Sequence, residues 1–224
     1  MSLWAKSTGD CEAVLTGHTG PVNALAVLLS GGVASGSADG NVRVWDMRAR
    51  ACTVVLRHYE PVYSLAALPC GGIAAGCMGG TIALWSAAGV RTATLGGWRG
   101  GGRSSGSAFS LALLPDSRLA AGCYHPHVIC VWDVERCALD VVISGHTGGV
   151  CALVALPDGR LLSGSNDRAL KVWGEAVLSV RGGEGANTCE ETLLGHTQEV
   201  KALTVLPDGL VASGGRDGTV RVRR

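Results

Sequence analysis

The chain has 224 residues, and its 19 Lys and Arg nearly balance 18 Asp and Glu, so no bulk field draws it to nucleic acid or to an anionic membrane surface. Gly is abundant at 34 residues, Phe occurs once, and no apolar stretch approaches the roughly 18 residues that cross a bilayer. The nine cysteines, odd in number and without a C-x-x-C pair, fit a reducing compartment better than a disulfide framework. The start, MSLWAKSTGDCEA, has no apolar core of a secretory signal, so a cytoplasmic or nuclear location is expected.

In chain order, the first elements are LWAK and CEAVL, two short strands that look like the last two of a repeating unit. The unit itself then begins at GHTGPVNALAVLLSGGVASGSADGNVRVWDMR (17–48) and returns almost residue for residue as GHTGGVCALVALPDGRLLSGSNDRALKVWGEA (145–176). Between them lie RHYEPVYSLAALPCGGIAAGCMGGTIALW (57–85) and SGSAFSLALLPDSRLAAGCYHPHVICVW (105–132), and GHTQEVKALTVLPDGLVASGGRDGTVRVR (195–223) follows. Trp45, Trp85, Trp132 and Trp173 are separated by 40, 47 and 41 residues. Within each copy an apolar run such as VNALAVL reaches a turn, then a short run VASGS, a tight turn ADG and an alternating VRVW; CTVVL (52–56) leads into the next copy. Runs of four to seven residues broken this regularly are strands, and the chain is all-β.

Five such copies, opened by Gly17-His18 or Gly145-His146 and closed by Trp45-Asp46 or Trp173, resemble the WD-repeat β-propellers over essentially the whole chain. The resemblance implies one domain, 1–224, of four-stranded antiparallel blades at about 17–56, 57–95, 105–143, 145–194 and 195–224. It also implies a buried relay inside a blade: His18, Ser35, Asp39 and Trp45 in the first copy, His146, Ser163, Asp167 and Trp173 in the fourth. Two arrangements of the ends are open. Residues 11–15 supply the outer strand that the last copy lacks and close a five-bladed ring, or residues 1–16 are a remnant in a larger propeller.

Asp, His and Ser recurring together invite a hydrolase reading, but the trio repeats with a Trp at equivalent positions, and no G-x-S-x-G or H-E-x-x-H motif is present. No catalytic residue and no cofactor is expected. GGWRGGGRSSGS (96–107) has neither the Lys nor the following helix of a phosphate loop, and reads as an extended connection on the face of the ADG turns. GEAVLSVRGGEGANT (174–188) reads as a spacer on the opposite face.

Five aromatics outside the Trp slot, Tyr59, Tyr63, Trp98, Phe109 and Tyr124, all fall in the second and third copies. Tyr63 and Phe109 match Asn23, Cys151 and Lys201 just past the start of an inner strand, where members of the resembled family commonly present contact residues. The expected function is therefore a non-catalytic scaffold that binds a protein or peptide around blades two and three through Tyr63, Met78, Trp98, Phe109, Tyr124 and His125. An alternative is a substrate receptor of a cullin–RING ubiquitin ligase: VASGSADGNVRVWDMR resembles the box that docks to the ligase adaptor, with Asp39, Trp45, Asp46 and Arg48 at its marked positions. A propeller enzyme is the third and least favoured reading.

Last, GCYHPHVIC (122–130) gathers Cys123, His125, His127 and Cys130. Zinc needs four ligands converging at about 2.0–2.3 Å. A tight hairpin sends neighbouring side chains to opposite faces, so Cys123 and Cys130 can face each other while both His cannot easily join them. No metal site is expected; the stretch reads as a blade turn that has lost its structural Asp.

Overall fold

The computed structural model describes residues 1–4, 7–96, 106–178, 183–184 and 189–223, the pair 183–184 by backbone alone. Alternating apolar residues punctuated by Gly, Asp and Pro turns produce short strands that pair with their sequence neighbours. β1 (Ser2–Trp4) and β2 (Cys11–Val14) form a hairpin. Blade 1 contains β3 (Val22–Val27), β4 (Val33–Ser37), β5 (Asn41–Asp46) and β6 (Ala51–Arg57). Blade 2 contains β7 (Val62–Ala67), β8 (Ile73–Cys77), β9 (Ile82–Trp85) and β10 (Arg91–Leu95). Blade 3 contains β11 (Ala108–Leu113), β12 (Leu119–Cys123), β13 (Ile129–Asp133) and β14 (Ala138–Ile143). Blade 4 contains β15 (Val150–Ala155), β16 (Leu161–Ser165) and β17 (Leu170–Trp173). The short helix α1 (Glu175–Leu178) and strand β18 (Gly183–Glu184) follow before its outer strand β19 (Glu191–Leu193). Blade 5 has three strands, β20 (Val200–Val205), β21 (Val211–Gly215) and β22 (Val220–Arg223).

Every pairing inside a blade is antiparallel, and β18 joins the outer edge of β14 in parallel, making blade 3 five-stranded. The spacer 174–188 is thus more than a connection: Val177 and Leu178 of α1 are buried in the core that blades 3 and 4 share. The blades stack because each second strand carries a glycine against which the next inner strand lies. A Cβ at Gly36 would stand 2.5 Å from Val62, one at Gly122 2.8 Å from Val150 and one at Gly164 2.6 Å from Val200. Those valines are fully buried, each worth about 1.5–3 kcal/mol of apolar burial.

The sheets do not close into a ring. β2 pairs with β1, and among the described residues β22 has β21 as its strand partner, so the segment 11–14 is not the outer strand of blade 5. The two ends of the arc differ accordingly from its middle. Val42, facing blade 2, is wholly buried, whereas its counterpart Val220 is 75% exposed.

Candidate functional site: an aromatic rim beside buried relays

The relay grows from three short pieces of each repeat. In blade 1 the loop before β3 supplies His18, β4 supplies Ser35, the β4–β5 turn supplies Asp39 and β5 supplies Trp45. Asp39 Oδ2 lies 2.8 Å from His18 Nδ1 and also accepts from the Thr19 amide, so Nδ1 carries the ring proton. His18 Nε2 then accepts from the Ser35 hydroxyl at 2.8 Å, and Ser35 Oγ accepts from Trp45 Nε1 at 2.7 Å. Burial pushes the Asp39 carboxyl up, but the bonds from Thr19, His18 and Asn41 outweigh it and hold the group at about 2. Blade 4 repeats the arrangement with His146, Ser163, Asp167 and Trp173 at 2.7–2.8 Å, and Asp167 is likewise held at about 2. Ser35 and Ser163 have no exposed surface, and their oxygens lie between an imidazole and an indole.

Blade 5 holds a third relay that the sequence reading passed over: His196 bonds Asp217 and Ser213, each at 2.9 Å. The signal was present in GHT (195–197) and SGGRDG (213–218), but Arg223 replaces the Trp that defines the slot. Blades 2 and 3 lack the Ser and Asp. In blade 2, His58 Nδ1 and Trp85 Nε1 are buried without a hydrogen-bond partner among the described residues, and burial, then the nearby Arg91 guanidinium, lowers the His58 pKa. In blade 3 Ser110 Oγ is buried without a hydrogen-bond partner among the described residues, as is Arg118 Nη1, which lies 3.7 Å from Asp140 Oδ2.

The side chains just past the start of each inner strand reach toward the neighbouring blade. On blades 2 and 3 they are rings. Tyr63 and Phe109 stack with centroids 4.6 Å apart and planes at 20°. Phe109 meets Tyr124 at 5.2 Å, Tyr124 meets His125 edge-on at 5.0 Å, and His125 meets His127 at 5.0 Å. One ladder therefore runs from β7 across β11 to the β12–β13 turn, with Tyr124 37% exposed at the surface. Tyr124 also fills the space where a side chain on Gly149 would stand, 2.5 Å from its ring, so blade 4 buttresses the ladder.

The matching positions elsewhere are polar and already engaged. Asn23 donates to the Val62 carbonyl at 2.9 Å, Cys151 Sγ lies 3.1 Å from Asn166 Oδ1, and Lys201 reaches the same oxygen at 2.8 Å and Glu199 at 3.3 Å. The mouth of the arc thus has an aromatic half and a half whose polar groups are paired with one another. Met78 stands 51% exposed in the β8–β9 turn. Trp98 lies outside the described residues.

Of the docking-box residues, Asp39 and Trp45 are absorbed by the relay. Asp46 ends β5 and Arg48 lies in the β5–β6 turn, at the opposite end of the strand from the Asp39 turn. There Asp46 Oδ1 accepts from the amides of Arg48 and Ala49 at 2.7 and 2.9 Å, and Arg48 is exposed beside a cleft of about 530 Å³. Among the described residues no three His, Cys, Asp or Glu side chains converge as metal ligands, and His125 and His127 turn toward Tyr124 and each other. Among the described residues no helix is long and apolar enough to cross a membrane.

These features can be set beside known proteins. The chain matches 35% of 66 positions in Protein groucho of Drosophila melanogaster, 29% of this chain and 9% of that protein. It matches 44% of 50 positions in the Periodic tryptophan protein 2 homolog of Schizosaccharomyces pombe, 22% of this chain and 6% of that one. The matched segment is thus less than a tenth of the length of either relative. The crystal structure of the WD40 beta propeller domain of Doa1 superposes with a TM-score of 0.80 at 20% identity, covering 96% of this chain and 67% of that one, which shows the fold. The family model for the WD domain, G-beta repeat, matches residues 9–46, 50–86, 138–174 and 187–223, about two thirds of the sequence, and the third copy enters by its sheet instead. With repeat, relay and blade architecture agreeing, the chain belongs to the WD40 repeat family.

Proposed function

We propose that this WD40 arc is a non-catalytic interaction scaffold whose partner, a protein or peptide, docks on the rim of blades 2 and 3. The observation that carries the reading is the unbroken ladder of ring contacts from Tyr63 through Phe109 and Tyr124 to His125. Rigid aromatic side chains lose little entropy on binding, and truncating such an anchor commonly costs about 2 kcal/mol or more. The polar half of the mouth offers less, since its amide, lysine and carboxylate groups would exchange existing bonds for new ones. The non-catalytic part of the reading rests on Ser35 and Ser163, which have no surface from which to attack a substrate. The test compares capture of cellular partners by the wild-type chain with capture by Tyr63→Ala and Phe109→Ala, each checked for an unchanged melting transition. Loss of the same set of partners from both variants is expected; full retention by a folded double variant refutes the reading.

A second reading, a ligase substrate receptor, is favoured by one observation: Asp46 fixes the turn that displays Arg48 at the cleft. A planar guanidinium presented this way suits a carboxylate on an adaptor. Arg48→Ala should then abolish adaptor co-purification while leaving rim partners bound, and undiminished recovery of the adaptor rules this docking mode out.

A further inference from the structure

The turn that carries Tyr124 and His125 is rooted on two cysteines that neither the relay nor the rim uses. In the β12–β13 register Ala121 lies opposite Cys130 and Gly122 opposite Ile129. The Cys123 amide continues the ladder to the Val128 carbonyl at 2.9 Å. Cys123 and Cys130 are therefore diagonal neighbours, and residues of one parity across an antiparallel pair share a face. The side chains agree with the shared face, because both pack on the same apolar cluster between blades 2 and 3. The two thiols are reduced and differ in access, with Cys130 2% exposed and Cys123 partly open to solvent.

We propose that Cys123 and Cys130 form a thiol–disulfide exchange site for low-molecular-weight disulfides, with Cys123 attacking and Cys130 resolving. The hydrogen bond from the Cys130 thiol lowers the pKa of Cys123, and the same bond, together with burial, pushes Cys130 up, which divides the two roles as the exposure does. With oxidised glutathione the Cys123 thiolate attacks one sulfur, forms a mixed disulfide and expels a glutathione thiolate. Cys130 then gives up its proton and attacks the Cys123 sulfur, forming the Cys123–Cys130 bond and expelling the second glutathione thiolate. Two electrons pass from the cysteine pair to glutathione disulfide, and the two protons end on the two glutathione thiols.

The chain is suited to a direct reading, because trypsin releases residues 119–136, a peptide whose two cysteines are Cys123 and Cys130. The reduced full-length protein is incubated with graded glutathione disulfide, quenched with acid and N-ethylmaleimide, and mapped by mass spectrometry. Exposed Cys11 serves as the internal standard. The expected product is the 119–136 peptide two hydrogens lighter and unlabelled, formed at oxidant levels that give Cys11 no more than a glutathione adduct. Cys130→Ser should replace it with a glutathione adduct on Cys123, and Cys123→Ser should lower oxidation of the peptide at least about ten-fold. The proposal is overturned if the wild-type peptide keeps both alkyl labels while Cys11 is glutathionylated, if it stops at the Cys123 adduct, or if Cys123→Ser leaves Cys130 oxidised at the same rate.

Discussion

Blades 1 and 4 and blades 2 and 3 are built on one pattern and have diverged in opposite directions. The first pair joins its buried His, Ser, Asp and Trp in a four-member relay, and each rim residue is a small polar group bonded to its surroundings. The second pair has Ala75 and Ala121 at the serine position, leaves His58, Trp85 and Ser110 with orphan atoms, and carries the stacked rings. Two adjacent blades flanked on either side by a relay-bearing blade can lose their relays and persist on inter-blade packing, as Val62 against Gly36 and Val150 against Gly122 illustrate. The difference teaches that the blades with complete relays and the blades with exposed, stacked rings are not the same ones, which is the division the proposed rim depends on.

The comparison breaks first at Asp167. Replacing it with Ala removes the acceptor of His146, Thr147 and Ala169 together, so urea denaturation should show a loss of about 3 kcal/mol or more. Met78→Ala, in the equivalent turn of blade 2, should stay within about 0.5 kcal/mol; equal losses would erase the distinction between the blades. The same carboxylates give an acid signature. Asp39 and Asp167 titrate at about 2 in the folded chain against an ordinary 3.8. Their contribution is therefore complete above about pH 4 and drains away as the pH falls toward 2. Asp39→Asn should flatten that part of the pH–stability curve.

Next in size is the rim. Tyr63→Ala should weaken capture of a rim partner by about 2 kcal/mol, roughly 30-fold, a loss read by titration against whichever partner the wild type captures. Asn23→Ala, the blade 1 counterpart, should weaken it far less, and parity between the two would put the anchor elsewhere. The smallest effect is a gain. Ala75→Ser places a hydroxyl at the position from which Ser35 accepts the Trp45 indole, so Trp85 Nε1 would acquire a partner and the melting temperature should rise by the equivalent of about 1 kcal/mol. No rise would mean that the blade 2 relay cannot be rebuilt one residue at a time.

Much of the site was legible because a repeat supplies its own alignment. Placing Tyr63 and Phe109 beside Asn23, Cys151 and Lys201 needed only the count from each Gly-His or its replacement, and the relay of blades 1 and 4 followed from the same count. The relay of blade 5 was equally countable and was missed because Arg223 occupies the Trp slot on which the match was anchored. What no count contains is a ring-to-ring distance. That Tyr63 lies flat on Phe109 depends on how far adjacent blades are pressed together, and that His127 continues the ladder depends on the conformation of the β12–β13 turn.

The sequence by itself determined the all-β class, the repeated copies and the order of strands and turns within each. These are local properties, fixed by two-residue alternation and by turn chemistry within some 40 residues. The tertiary structure decided everything that joins one copy to another. It paired β2 with β1 and left β22 without it, packed α1 into the core of blades 3 and 4, and laid β18 along the edge of β14. Such choices rest on the competition among chemically similar strand edges and apolar faces far apart in the chain, and that competition is settled by packing, which a local pattern does not encode.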